Sequence, residues 1–369
     1  MVRKEKAKKT VKSLVRQRKE KILGSLKTLG SSVCGQIDSK EFPSINMPSR
    51  SIQNIIYDPE TRQYVLGDTQ VKRSARNVRH IRPFTQLVWT ASFAGELAGQ
   101  SRTSTLRDVF YSAQAYEMNF IDQAESDNII TDLETVLGSA REDFNVFPEE
   151  RSAIFGDLTI EYTVPGYEGR RLNLASHPDG MMIGPALTNA EFVECNADRI
   201  IAIEKGALFT RFVEEKVHAK HKAILVQTAG QAPRATRSLI RRLNQELKLP
   251  VLILTDGDPW GMHIAMVIIS GSANAAHIKE LNTPDAKWGG VWASDIVEYD
   301  LPSDRLTDLD IKRLYELRKD PRYEGKLWKK EIETFLKIRK KAEQEAFSRY
   351  GLTYIVDKYL PAKLKELKT

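Results

Sequence analysis

The sequence predicts a multidomain protein of α/β and α+β class. An N-terminal winged-helix domain of helix-turn-helix type is followed by an α/β domain with a mainly parallel sheet. Three observations lead there. Helical periodicity runs from Phe84 to about Ala140, then yields to the alternating stretch SAIFGDLTIEYTV. Further on, the apolar runs RIIAI (199–203), KAILVQTAG (222–230) and VLILT (251–255) are separated by helical stretches, the pattern of parallel strands joined by crossover helices. A chain of 369 residues with 41% apolar composition also has the material for two cores. The expected division is a basic tail and extended arm over 1–82, the winged-helix domain over 83–167 and the α/β domain with C-terminal helices over 168–369.

The elements can be taken in chain order. Residues 1–27 carry +9, from eleven Lys or Arg against Glu5 and Glu20; the whole chain is +7, so the remainder is −2. Val11, Leu14, Val15, Ile22 and Leu26 recur at near-helical spacing in this tail. A basic amphipathic helix can dock on a partner, on nucleic acid or on a membrane surface, and it can equally be a frayed terminus. Residues 28–82 hold Pro43, Pro48, Pro59 and the turn signal YDPETRQ, and read as an irregular arm. FTQLVWTASFAGELA, STLRDVFYSAQAYEM and ESDNIITDLETVLGSA follow as three helices, with the alternating strands as a wing. A generic small helical domain is the alternative. WKKEIETFLKIRKKAEQEAF near the C-terminus reads as a charged outer helix with one apolar face. No apolar stretch is long enough to span a membrane and no secretory leader is expected; with only Cys34 and Cys195, a reducing cytoplasm fits.

Chemistry concentrates where two strands end. Glu204 directly follows RIIAI, and Asp256 and Asp258 directly follow VLILT. In parallel sheets, ligands bind beyond the carboxyl ends of the strands. If the two strands are neighbours, three carboxylates meet at one edge. Like charges at close range raise each other's pKa and destabilise the fold. A divalent cation removes that cost, and Mg²⁺ prefers such oxygen ligands. A solvated Asp-Gly turn is the alternative for the DGD alone. Gly257 is expected to turn the backbone and Gly261 to leave room near a ligand.

A second candidate lies in SRTSTLRDVFYSAQ. Thr105 with Asp108 is a helix-capping signature, which puts Arg107 and Tyr111 on one face of the opening turns. A guanidinium beside a phenol can favour the phenolate, a plausible nucleophile for transesterification. A Phe-Tyr pair in an amphipathic helix can also be core.

The glutamate of IAIEKGALF followed by the DxD of VLILTDGDPWG resembles a Toprim domain, with Glu204, Asp256 and Asp258 at the family's three acidic positions. Together with the STLRD helix ending in an aromatic pair, the chain resembles the A subunits of archaeal topoisomerase VI, relatives of the meiotic double-strand-break transesterase. YDPETRQYVLGD, RPFTQLVW, NTPDAKWGGV, LTDLDIKRLYELRKDPRY and KKAEQEAF extend the likeness over most of the chain.

The resemblance implies an ATP-dependent type II DNA topoisomerase, an isomerase acting by transesterification. Tyr111 would form a transient 5′-phosphotyrosyl link, assisted by Arg107, with Mg²⁺ on Glu204, Asp256 and Asp258. The partners implied are double-stranded DNA, a second copy of this chain and a GHKL-type ATPase B subunit that binds the ATP, in an A2B2 heterotetramer. The tyrosine of one protomer is then expected to work with the metal site of the other. No Walker A motif occurs here.

Two positions depart from the family. Phe110 stands where relatives often have a second tyrosine, which leaves Tyr111, with Tyr116 a distant competitor. Gln231 in TAGQAPRATR stands where a lysine is expected. Lys205 and Arg237 are candidate DNA contacts; Lys205 can equally offset the carboxylates, and Arg237 can be a helix-surface arginine. His218 and His221 lack further ligands for zinc, and Trp288 and Trp292 read as packing residues. Two rival functions remain on sequence grounds. A non-catalytic winged-helix regulator calls for a basic recognition helix, whereas ESDNIITDLETVLGSA contains no Lys or Arg. A Toprim nuclease using metal-activated water needs no tyrosine.

Overall fold

The computed structural model describes the backbone of residues 2–149, 151–278 and 281–368, and side chains from Lys19 onward. It divides into two compact units: Met1–Ile56, Val65–Glu149 and Ala273–Lys279 form the first, and Tyr57–Tyr64, Glu150–Ser272 and Glu280–Thr369 the second.

The first unit begins with α1 (Val2–Asp38) and β1 (Ser44–Pro48). β2 (Ile55–Asp58) and β3 (Gln63–Leu66) pair with each other, with Tyr57–Tyr64 counted in the second unit, and β4 (Gln70–Ser74) returns antiparallel to β1 with Ile45 opposite Arg73. Next come α2 (Val78–Gln100), β5 (Ser104–Thr105), α3 (Leu106–Ala115), α4 (Gln123–Leu137) and β6 (Val146–Phe147), with β5 and β6 paired. Leu87, Ala94, Val109, Ala113, Ile130 and Leu133 recur at helical spacing on α2, α3 and α4 and form one buried cluster.

From Ile22 onward the expected tail, with most of the arm, is built into this unit. Ile22, Leu26 and Val33 of α1 and Ile45 of β1 join its core. Arg50 and Arg73 grip the buried Asp132 of α4 at 2.7 and 2.9 Å, which pins the β1–β4 ribbon to the helices. The side chains of Val11, Leu14 and Val15 lie outside the described residues.

The second unit opens with β7 (Ala153–Phe155), β8 (Leu158–Glu161), β9 (Arg171–Asn173), β10 (Met181–Met182), α5 (Pro185–Thr188) and β11 (Glu191–Cys195). It continues through β12 (Arg199–Ile203), α6 (Gly206–Glu214), α7 (Val217–Lys220), β13 (Ala223–Gln227), α8 (Arg234–Leu247), β14 (Val251–Leu254) and α9 (Pro259–Ser270). β15 (Lys287–Gly290), α10 (Ala293–Glu298), β16 (Asp304–Arg305), α11 (Asp308–Lys319), α12 (Lys326–Ile338), β17 (Lys340–Lys341) and α13 (Leu360–Leu367) complete it. One sheet runs in the order β10-β7-β13-β12-β14-β15, with β13, β12, β14 and β15 parallel. Ile200 to Ile203 and Val251 to Leu254 are buried, as central parallel strands covered on both faces require.

Two expectations are corrected. SAIFGDLTIEYTV supplies no wing to the first unit: β7 pairs antiparallel with β13, and β8 sits between β11 and β9. Ala153, Ile154 and Phe155 are buried on both faces, so a place between β10 and β13 in the central sheet covers them better than a wing open to water. The stretch read as one outer helix breaks at Arg339, which takes a left-handed conformation (φ 55°). Strand β17 then pairs with β16, and the chain re-enters helical geometry only as the 3₁₀ stretch Gln344–Tyr350. Trp288 stacks on Trp328 at 4.7 Å, and His218 lies edge-on to Phe155 at 4.7 Å, so both serve packing. Among the described residues no helix is long and apolar enough to cross a membrane.

His263 on α9 is held down to about 4 by burial, and next by Arg313 and Arg322. Its folded value lies below the unfolded one, so the associated stability is complete above about pH 6.5 and is lost as pH falls towards 4. Urea denaturation at pH 7.5 and 4.5 should show about 2 kcal/mol more loss in the native chain than in His263→Phe, which removes the titrating ring.

Candidate active site

β12 and β14 are adjacent and parallel, with Ile203 opposite Leu254. Glu204 and Asp256 therefore leave the same edge of the sheet side by side, and the Asp256 N–H donates to Glu204 Oε2 at 2.9 Å. Asp258 turns to cap α9, accepting from the Gly261 N–H at 2.6 Å. Pro259 follows at the first helical position, where its missing N–H costs nothing. Gly261 is required because a Cβ there would collide with the Asp256 carbonyl oxygen. Its room is thus taken by the loop itself and not by a ligand. Gly257 turns the backbone without a left-handed conformation; what it provides is close approach. It exchanges two backbone hydrogen bonds with Ala342, of 2.8 and 3.1 Å, and a Cβ would stand 3.1 Å from the Ala342 oxygen.

That bridge brings the segment after the helix break onto the carboxylates. The Gln344 N–H donates to Asp256 Oδ1 at 2.9 Å. Lys205 Nζ stands 3.2 Å from Asp256, 3.0 Å from Glu343 and 3.1 Å from Glu345. The sequence pattern does not single out Glu343, Gln344 or Glu345. KKAEQEAF is legible as a family segment, but helical periodicity places its acids on a solvent face.

Burial raises the carboxyl groups of all three acids. Glu204 is pushed up to about 7, chiefly by burial and further by the charges of Asp256 and Asp258. Asp256 and Asp258 are raised by burial, opposed by the Gln344 and Gly261 N–H groups respectively. Lys205 is held well above the ordinary lysine range because Glu343, Glu345 and Asp256 outweigh its own desolvation.

A hard divalent cation fits this donor set, in which the three acids offer only oxygen and Lys205 offsets only part of their negative charge. Among the described residues, no three Asp, Glu, His or Cys side chains converge closely enough to hold a metal ion as they stand. The reason is visible: Asp256 and Asp258 are tied to separate backbone donors, and Lys205 holds one oxygen of Asp256.

On α3 the capping box is present, with Asp108 N–H to Thr105 Oγ1 and Thr105 N–H to Asp108 Oδ2 both at 3.0 Å. It fixes the start of the helix, and so the face on which each side chain falls. Phe110 packs against the core while Tyr111 is 53% exposed, so the core reading of the pair holds for the phenylalanine alone. The Arg107 guanidinium carbon lies 5.9 Å from the Tyr111 ring centroid. The phenol, and next Glu149, favour the charged guanidinium. Tyr116 is also exposed, but it is the residue that ends α3, about two and a half turns beyond Arg107.

Arg237 is neither a surface arginine nor open to DNA as placed. It is 5% exposed on the inner face of α8, among Ala235, Leu239 and Ile240. Gln231 is exposed in the loop before α8, which follows left-handed Ala229 and Gly230.

Residues 199–364 match the family model described as the Toprim domain of the topoisomerase 6 A subunit/Spo11, and residues 82–146 the model described as Type IIB DNA topoisomerase. The chain is 47% identical over 353 residues to the type 2 DNA topoisomerase 6 A subunit of Methanothermobacter thermautotrophicus, covering 95% of this chain and 99% of the relative. The chain belongs to the family of topoisomerase VI A subunits. The corresponding protein of Methanosarcina barkeri is 39% identical over 100% of this chain and 99% of its own, and that of Archaeoglobus fulgidus 38% over 91% and 94%. Both candidate regions fall within the matches: Arg107 and Tyr111 in the topoisomerase segment, Glu204 to Glu345 in the Toprim domain.

For a protein of the topoisomerase VI family, these charges predict a pH signature. Glu204 must be ionised to act as a metal ligand, and in the metal-free fold its value is about 7. Added Mg²⁺ should therefore raise the melting temperature by a few degrees at pH 8 and much less at pH 6. Differential scanning calorimetry checks this, and Glu204→Gln should remove the difference between the two pH values.

Proposed function

We propose that this chain is the DNA-cleaving subunit of an ATP-dependent type IIB topoisomerase, with Tyr111 as nucleophile. The observation that carries the reading is the placement of Tyr111: exposed on a capped helix beside Arg107 while Phe110 turns inward. The Tyr111 oxygen attacks a DNA phosphorus atom as its proton departs. A tyrosyl P–O bond forms, the P–O3′ bond breaks, and the 3′ oxygen takes up a proton. The product is a 5′-phosphotyrosyl link of similar bond energy, so the step reverses and the strand is resealed. Arg107 holds the phosphate and balances its charge.

Glu204, Asp256 and Asp258 would hold Mg²⁺. When bound, the ion supplies charge stabilisation at the scissile phosphate. The chain's own contribution there is to present buried carboxylates at one sheet edge, Glu204 and Asp256 held side by side by a backbone hydrogen bond.

The part of the first unit from α2 onward is assigned as the DNA-facing winged-helix domain, with Tyr111 in α3, the second of the three helices α2, α3 and α4. Its support is the order of elements: β5 lies between α2 and α3 and pairs with β6, which follows α4. The partners are double-stranded DNA, a second copy of this chain and a GHKL-type ATPase B subunit, together an A2B2 heterotetramer in the cytoplasm. The N-terminal part of α1 is the candidate surface for the B subunit.

The test is cleavage of supercoiled DNA by this chain with its candidate ATPase partner, an ATP analogue and Mg²⁺, analysed before and after proteinase digestion. Protein joined to 5′ ends is expected, and Tyr111→Phe should abolish it. Cleavage that leaves free ends and survives Tyr111→Phe would identify a Toprim nuclease and overturn the reading.

A further inference from the structure

Lys205 is the point at which the carboxylate site and the C-terminal segment meet. Its ammonium is shared between Asp256, one of the three acids of the site, and Glu343 and Glu345, which lie outside that set. The two kinds of partner differ in environment. The Asp256 side chain is 14% exposed, whereas Glu343 is 72% and Glu345 43% exposed.

The position of the outer pair is not left to side-chain flexibility. Glu343 and Glu345 flank Gln344, whose N–H binds Asp256 and whose side-chain amide reaches the Leu254 carbonyl at 3.5 Å. Ala342 is bridged to Gly257. One short segment thus grips Asp256 through its centre and Lys205 through its two ends.

Asp256 cannot serve the ammonium and a divalent cation equally, because both draw on the same carboxylate and repel each other. An ammonium with no other partner would stay on Asp256 and compete with the metal. We propose that Glu343 and Glu345 are positioning residues: they form a dock that draws Lys205 off Asp256 and thereby set how tightly the carboxylate site takes a divalent cation. The exposed pair suits this task, since hydrated carboxylates accept a charge or release it at little desolvation cost. The inference rests on the reading that Glu204, Asp256 and Asp258 hold the metal.

The test is Mn²⁺ binding to the full chain by titration calorimetry, arranged as a double-mutant cycle. The variants are Glu343→Gln with Glu345→Gln, Lys205→Met, and all three together. Asp258→Asn reports on the carboxylate site itself, and melting curves confirm folding. Where Lys205→Met fails to fold, Lys205→Gln takes its place.

Loss of the glutamate pair should weaken Mn²⁺ binding about tenfold when Lys205 is present, and leave it unchanged in the Lys205→Met background. An equal loss in both backgrounds would mean a general field effect and would overturn the dock. So would no loss in either. If Asp258→Asn binds Mn²⁺ as tightly as the native chain, or the native chain takes no Mn²⁺, the metal-site reading itself has failed and the dock falls with it.

Discussion

Burying carboxylates beside one another at the end of a parallel sheet is costly, and much of the second unit is arranged around that cost. The pairing of β12 with β14 makes the conflict unavoidable, because it delivers Glu204 and Asp256 to the same edge. The fold offsets it with what lies close at hand. Backbone N–H groups of Asp256, Gln344 and Gly261 each donate to one of the three acids, and Lys205 supplies the one ammonium in direct contact with Asp256 among the described residues. The compensation is incomplete, as the raised values of all three acids show. Residual negative charge in an oxygen-only cluster is the property a hard divalent cation exploits.

The loop between β14 and α9 is packed tightly enough to leave little freedom. Gly257 admits the Ala342 backbone and Gly261 admits the Asp256 carbonyl. Trp288 donates to the Thr255 hydroxyl at 2.9 Å and stacks on Trp328, so the residue just before Asp256 is held from the core side. The acids therefore sit on a rigid strand end, with support from elements far along the chain. Rigid placement matters for the proposed role of this site, which needs charge at a phosphate with small positional error.

In the first unit the same economy is local. A capping box sets where α3 begins, and the helical repeat then decides that Phe110 faces the core and Tyr111 faces water. The β1–β4 ribbon and the part of α1 from Ile22 onward contribute to the core behind these helices. The nucleophilic role proposed for Tyr111 calls for this combination of exposure and a fixed helix frame.

The sequence by itself determined the features that depend on short-range pattern. The capping signature at Thr105 and Asp108, the apolar runs of β12 and β14 and the acids that end them could all be read without a structure. The parallel α/β domain followed from their alternation with helices. Only tertiary packing decided where β7 and β8 would pair, because alternation marks a strand without naming its neighbour. The burial of Arg237 is likewise a tertiary outcome, since one basic residue on a helix says nothing about which face is covered. The largest difference lies at Arg339. Residues 328–347 carry a continuous helical pattern, yet the β16–β17 pairing and the Gly257–Ala342 bridge break it and carry Glu343, Gln344 and Glu345 to the site. Helical periodicity is a local preference of modest strength; contacts with residues about ninety positions away outweighed it here, and no window of sequence contains both halves of such a contact.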